Sequence, residues 1–195
     1  MIEDLIEKAK KLKEKGLTTG EIAAELNVSK ETAMWLLAKA KKAEAPSDVY
    51  VDLKNVANPF RMRCIASAMT DMISEVIDEK PDIVVGIATS GIPIATLVAE
   101  ELGATLSMYY PKKLKWEGKE QRVGGLFSEN FAKVDGRSCV IVDNVITTGN
   151  TIKETAEQIR KREGKVLCAA VIIDKKGIEE MDGFPVLSLF KIVRL

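Results

Sequence analysis

The stretch Ser138 to Thr151, SCVIVDNVITTGNT, decides the reading of this chain. Cys139, Val140, Ile141 and Val142 form a continuous apolar run of the kind a parallel strand covered on both faces requires, and Asp143 and Asn144 stand at its carboxyl end. That end is where open α/β sheets bind ligands. Thr147, Thr148, Gly149, Asn150 and Thr151 then supply hydroxyls, an unhindered glycine and successive backbone N–H groups at the start of an amphipathic helix over Ile152 to Arg162. Unpaired N–H groups and the positive end of the helix dipole converge at such a start, which suits a phosphate monoester. An ordinary strand, turn and capping threonine account for any one of these residues; a phosphate site accounts for all of them together.

Outward from this stretch the pattern alternates. It predicts a helix from about Asn58 to Asp78, a strand over Ile83 to Ala88, a helix over Ile92 to Leu102 and a strand over Thr105 to Tyr110. The strand Cys139 to Asp143, the helix Thr151 to Arg162 and a strand over Val166 to Asp174 follow. Units of this kind imply an α/β fold with a mostly parallel sheet. Leu126 to Val134 is expected to return from a polar segment, and Val186 to Val193 to finish the sheet or a hood over it. Met62, Met69 and Met72 lie at helical spacings and read as core or subunit interface.

The N-terminus has its own periodicity, caps and turns, which predict a small all-α domain over residues 1–45 ahead of a ligand domain over residues 49–195. Leu5, Ile6, Ala9 and Leu12 recur at helical spacing until Gly16, and Lys13 and Lys15 suit the carboxyl end of that helix. Thr18 followed by Glu21 is a capping-box pattern opening a second helix through Leu26. Asn27 and Val28 make a turn, and Ser29 can cap a third helix running to about Lys42. This is a helix-turn-helix pattern. It would place the start of the third helix in a major groove of double-stranded DNA, with Ser29, Lys30, Glu31, Thr32 and Trp35 toward bases or phosphates. Lys30, Lys39, Lys41 and Lys42 stand against Glu31 alone between Ser29 and Lys42, in a chain whose net charge is zero. Charge therefore concentrates where the groove contact needs it. A helical bundle used for dimerisation, with Trp35 in its interface, is the competing reading.

With 46% apolar and 30% charged residues, the composition suits one substantial core and one small satellite. The boundary is expected near Ala43-Glu44-Ala45-Pro46-Ser47-Asp48, where small residues and a proline interrupt the periodicity. Cys64, Cys139 and Cys168 show no metal-ligand spacing, and the last two sit in apolar runs as reduced core residues. No apolar run approaches the length of a membrane span and the N-terminus is not a signal sequence, so a cytoplasmic protein is expected.

Four apolar residues, an acidic position pair and a hydrophobic dipeptide before Thr-Thr-Gly resemble the phosphoribosyl pyrophosphate (PRPP) signature of the type I phosphoribosyltransferases. The resemblance extends from about Val49 to Leu195 and is nearest the orotate enzymes, taking in Ser90-Gly91-Ile92-Pro93 and the closing Phe184-Pro185-Val186-Leu187-Ser188-Leu189. It implies a type I phosphoribosyltransferase fold. It further implies that Thr147 to Thr151 hold the 5′-phosphate, that Asp143 and Asn144 face the ribose hydroxyls, and that Thr89, Ser90 and Gly91 form a pyrophosphate loop. Mg2+ would come with PRPP, on its oxygens, with no direct protein ligand.

The departures matter equally. Asn144 stands where the enzymes carry a second acid, which would cost about 1.5–3 kcal/mol of transition-state stabilisation. The segment Pro111 to Gly118, PKKLKWEG, resembles their catalytic loop, in which Lys112, Lys115 and Gly118 fit, but Pro111 replaces an arginine and Glu117 a histidine. No histidine occurs anywhere in the chain, which removes the side chain best suited to proton transfer near neutrality. Lys175 stands where such enzymes often carry a base-recognising arginine. A helix-turn-helix joined to an imperfect phosphoribosyltransferase resembles the archaeal orotate phosphoribosyltransferase-like transcriptional regulators. That likeness implies a homodimer that senses PRPP or a related phosphorylated metabolite and binds DNA. An active orotate or purine/pyrimidine phosphoribosyltransferase with N-terminal helices for assembly or autoregulation is the alternative, and an RNA-binding regulator a third reading.

Overall fold

A computed structural model of the chain describes residues 2–38, 46–114 and 125–193. By contact these residues fall into two compact units. The first takes the N-terminal residues through Asp52 together with Lys113; the second takes Leu53 to Lys112 and the chain from Gly125 onward.

The first unit holds α1 (Ile2–Glu14), α2 (Thr19–Glu25) and α3 (Lys30–Leu37). Leu5 and Ala9 from α1, Ile22 and Ala23 from α2, Leu26 and Val28 from the turn, and Ala33 and Leu36 from α3 form its core. The turn between α2 and α3 relies on Asn27, which adopts a left-handed φ of 52° that asparagine tolerates better than most residues, and on Val28 N–H donating to the Ala23 carbonyl at 3.0 Å. The first two helices match their expected spans closely. α3 ends at Leu37 rather than near Lys42, and Lys39, Lys41 and Lys42 lie outside the described residues. Val49 to Asp52 stay with the helices; Tyr50 packs on their core, with Lys8 Nζ 5.7 Å from its ring centre.

The second unit opens with a 3₁₀ turn (Lys54–Ala57) and α4 (Pro59–Ser74). Asn58 starts α4 by accepting from the Phe60 and Arg61 amides, with Pro59 in the first turn, where a missing N–H costs nothing. The order then runs β1 (Ile83–Ile87), α5 (Ile92–Leu102), β2 (Thr105–Tyr110), β3 (Leu126–Phe127), β4 (Ser138–Ile146), α6 (Asn150–Arg160), β5 (Lys165–Asp174), β6 (Glu180–Met181) and β7 (Phe184–Lys191). The sheet order is β3-β2-β1-β4-β5-β7-β6. β1, β2, β4, β5 and β7 are parallel, while β3 and β6 pair antiparallel at the edges. The mostly parallel α/β fold expected from the alternating pattern is present. Ile83, Val85, Ile141, Ala169 and Val171 pack with Ile152, Ala156 and Ile159 of α6 on one face, and α4 and α5 cover the other.

Helix α4 ends at Ser74, short of the expected Asp78, and the boundary next to the candidate site also moves. β4 continues past Asp143 to Ile146, because β5 goes on pairing with it at Val145↔Ile173 and Ile146↔Asp174. The β1 ladder on its other side stops at Gly86↔Val142. Asp143 and Asn144 therefore lie inside a strand, just beyond the point where one neighbour leaves it.

The cysteines follow the expected burial. Cys139 and Cys168 are fully buried, and desolvation pushes both thiols up to about 12, whereas Cys64 on α4 is exposed. Since the thiolate is the reactive form, a native-state titration with a thiol reagent is expected to give one fast thiol and two that react only on unfolding. Three fast thiols would contradict this packing.

Candidate functional site

β1 and β4 lie side by side where the strand order reverses, which in open α/β sheets is the point at which two successive loops diverge and leave a crevice. Both loops at this point carry expected site residues. The turn after β4 reaches α6 through Gly149, whose φ of +83° is left-handed and favours glycine. Space imposes a second limit: a Cβ there would lie 2.6 Å from Ile178 Cδ1 and 3.1 Å from Met181 Cε. No side chain caps α6. The Asn150 amide makes only a long hydrogen bond to Thr148 Oγ1, at 3.5 Å. Thr148 and Asn150 are exposed, Thr147 and Thr151 half-buried and Gly149 buried.

The loop after β1 holds Thr89, Ser90 and Gly91, with a cis peptide between Ala88 and Thr89. Gly91 is buried against the neighbouring strand: a Cβ there would meet the Ile87 carbonyl oxygen at 2.7 Å and Asp143 Oδ1 at 2.9 Å. The Asp143 carboxylate thus lies beside the β1 loop, is 7% exposed, and accepts from the Asn144 amide at 2.8 Å. Thr89 and Ser90 are exposed and Asn144 half-buried. The Lys175 amide donates to the Ile146 carbonyl at 3.0 Å, bringing the end of β5 to the same turn. The structure thus joins Asp143 to the β1 loop and sets the Thr147–Thr151 turn and Lys175 at the same end of the sheet.

Lys112 follows β2 at that end, its side chain exposed and its amide donating to Glu154 Oε1 at 2.8 Å. Glu154, on α6, also accepts from the Tyr109 hydroxyl at 2.8 Å, and the Gly125 N–H donates to the same phenol oxygen. A Cβ at Gly125 would collide with that hydroxyl and with the Tyr110 carbonyl oxygen. Burial first, and the Glu154 carboxylate second, hold the Tyr109 phenol well above the ordinary tyrosine range. Helix α6 is thereby tied to the chain at Lys112 and at Gly125. Lys115, Glu117 and Gly118 lie outside the described residues. Tyr109 and Glu154 gave no sequence signal, since a partner 45 residues away has no periodicity linking it. Tyr109→Phe is expected to destabilise the second unit by about 1–3 kcal/mol, the cost of leaving buried polar partners unmatched, as measured by urea unfolding. An unchanged midpoint would show the hydroxyl to be dispensable.

In the first unit, α3 exposes Lys30, Glu31 and Met34. Ser29 and Thr32 are half-buried and bonded to each other and to Asp48. Trp35 is half-buried against the helical core, so its ring is not freely outward as the spacing suggested. Packing decides this: Trp35 precedes Leu36 on a helix of only 8 residues, whose inward stripe is widened by the indole.

Comparison with known proteins follows the same division. The family profile described as "Phosphoribosyl transferase domain" matches residues 53–194. The "Transcriptional regulator GfcR" of Archaeoglobus fulgidus is 52% identical over 194 residues, spanning 100% of this chain and 98% of that protein. Among solved structures, an adenine phosphoribosyltransferase of Thermoanaerobacter pseudethanolicus superposes with a TM-score of 0.60 at 20% identity, over 77% of this chain and 92% of that one. An orotate phosphoribosyltransferase of Mycobacterium tuberculosis, solved with PRPP, superposes with a TM-score of 0.54 at 20% identity, over 73% and 80%.

Proposed function

The chain belongs to the phosphoribosyl transferase domain family and to the archaeal GfcR transcriptional regulators, and from that membership we propose that it is a homodimeric, cytoplasmic DNA-binding regulator that senses PRPP or a related phosphorylated metabolite. The sensing site is a catalytically weakened phosphoribosyltransferase centre. The observation that carries this reading is the uncapped start of α6, reached through the left-handed Gly149, at the same sheet end as Asp143 and the Gly91 loop.

Amides and hydroxyls of Thr147, Thr148, Gly149, Asn150 and Thr151 would take the 5′-phosphate, where the helix dipole adds to hydrogen bonding. Asp143 and Asn144 would accept from and orient the ribose hydroxyls; Thr89, Ser90 and Gly91 would take the pyrophosphate, with the Lys112 ammonium beside it. Mg2+ carried on the PRPP oxygens would neutralise part of their charge. Asn144 accepts a hydrogen bond as an acid does but brings no charge to stabilise a developing ribosyl cation, so binding outlasts turnover. In the other unit, Lys30 and Glu31 stand exposed at the start of α3, where a recognition helix meets a groove. A metabolite regulates such a protein only by binding its two arrangements unequally; a tenfold change in DNA affinity needs about 1.4 kcal/mol of coupling.

No helix among the described residues is long and apolar enough to cross a membrane, and none is needed here. The intact turn and the retained Asp143 support one second reading, an active phosphoribosyltransferase. Calorimetry with PRPP and Mg2+ tests the sensor: saturable heat is expected, and none with any phosphoribosyl compound removes it. Pyrophosphate-dependent turnover across several bases separates sensor from enzyme, and robust turnover would favour the enzyme.

A further inference from the structure

Helices α2 and α3 are capped by different means. In α2 both halves of the cap are local: Thr18 Oγ1 accepts from the Glu21 amide at 3.3 Å, and Glu21 Oε2 accepts from the Thr18 amide at 2.7 Å. α3 has the first half only, with Ser29 Oγ accepting from the Thr32 amide at 3.1 Å. The position that should return the favour is Thr32, whose side chain is too short to reach the cap amide as glutamate or glutamine would.

Asp48 makes the missing contact from elsewhere in the chain. Its Oδ2 accepts from the Ser29 amide at 2.7 Å and from Thr32 Oγ1 at 2.9 Å, while Oδ1 accepts from the Val49 amide at 2.7 Å. Ser29 Oγ and Thr32 Oγ1 are 2.9 Å apart. Because the Thr32 proton goes to Asp48, the Ser29 hydroxyl must be the donor to Thr32. The circuit is closed, and both hydroxyl protons of the helix start are engaged within the protein. A separation of 19 residues lies between Ser29 and the carboxylate that finishes its cap. Val49 to Asp52 then lead directly to Leu53, where the phosphoribosyl transferase match begins.

We propose that Asp48 is the positioning residue of the recognition helix: it completes, from the connecting segment, the cap that α3 cannot complete itself. The geometry of the DNA-reading turn then depends on how the connector is held, and the connector is the covalent lead into the ligand domain. This rests on the reading of α3 as the DNA-contacting helix. It also divides the labour among the expected contacts, since Ser29 and Thr32 serve the helix while Lys30 and Glu31 stay open to DNA.

The test uses the full chain, a duplex enriched by binding from a random pool, and a random duplex as control. Asp48→Asn keeps an oxygen that can accept from both donors; Asp48→Ala keeps none. Asp48→Ala is expected to lower the ratio of enriched to random affinity about fivefold, the effect of a lost helix cap, and Asp48→Asn by less than about twofold. The dependence of affinity on salt should stay unchanged, because Asp48 replaces no phosphate contact. Amide exchange at Ser29 should quicken in Asp48→Ala, read without DNA. Asp48→Ser, a polar residue too short to bridge both donors, must behave like the alanine variant and serves if that one does not fold. Discrimination that survives in Asp48→Ala or Asp48→Ser, whatever the exchange rate, overturns the positioning role and leaves DNA reading by α3 intact. A wild-type protein that prefers no duplex overturns the underlying reading instead.

Discussion

Gly149→Ala is expected to abolish high-affinity binding of the phosphorylated ligand. An L-residue at φ +83° costs about 1–2 kcal/mol in the left-handed region. The added methyl would also lie 2.6 Å from Ile178 Cδ1, an overpacking that costs roughly 1–3 kcal/mol if the neighbour cannot withdraw. The Ile178 backbone is held, its amide donating to Asp174 Oδ2 at 2.6 Å with Asp174 fully buried, but Cδ1 is the end of a side chain that can turn aside, so the left-handed backbone is the larger of the two costs. The turn can escape the strain only by returning to negative φ, which swings the first amides of α6 away from their common focus. Losing two charge-assisted hydrogen bonds, each worth about 1.5–3 kcal/mol, lowers affinity at least about a hundredfold. Calorimetry with PRPP and Mg2+ reads the binding and urea unfolding reads the strain. Thr148→Ala, which removes one exposed hydroxyl and leaves the backbone alone, should cost about tenfold or less. Equal affinities for Gly149→Ala and wild type would mean that the phosphate sits elsewhere.

Asn144→Asp is expected to raise phosphoribosyl transfer about tenfold to a hundredfold with little change in PRPP affinity. Asn144 lies in β4 next to Asp143 and just past the last β1 pairing, and asparagine and aspartate share one shape, so the substitution changes charge without moving the backbone. A carboxylate there strengthens its bond to a ribose hydroxyl and stabilises positive charge on the ring, an effect of about 1.5–3 kcal/mol in the transition state. Two adjacent acids also repel, which raises the pKa of one of them; the gain should therefore grow from acid toward neutral pH. Pyrophosphate-dependent turnover with orotate and with purine bases measures it. If turnover stays at the wild-type level, the missing acid does not limit the chemistry, and the departures at Pro111 and Glu117 become its cause.

The parts of this molecule legible in its sequence are those whose physics is local. The box of Thr18 and Glu21, the Ser29 cap of the third helix and the Thr-Thr-Gly turn each act within a few residues, and each is where the pattern placed it. Contacts that close across the chain were not legible. Nothing near Ser29 points to Asp48, nothing near Gly149 points to Ile178 and Met181, and the Tyr109 to Glu154 bond joins elements with separate periodicities. The end of β4 was misplaced for a related reason: the apolar run stops at Val142 and Asp143 and Asn144 read as the carboxyl end of the strand, yet pairing with β5 carries the ladder on to Ile146. Trp35 was placed outward by helical spacing from Ala33, Leu36 and Leu37, whereas its half-buried packing against the helical core is a tertiary contact that spacing along one helix does not show.

The unequal reach of β1 and β5 along β4 has an evolutionary corollary. Because alternate residues of a strand point to opposite sides, inserting or deleting a single residue between Val142 and Ile146 would invert the strand residues after it and shift the turn that follows. Replacing a side chain there does no such damage. A lineage with this architecture is free to vary the side chain at position 144, while the length of that short passage stays fixed.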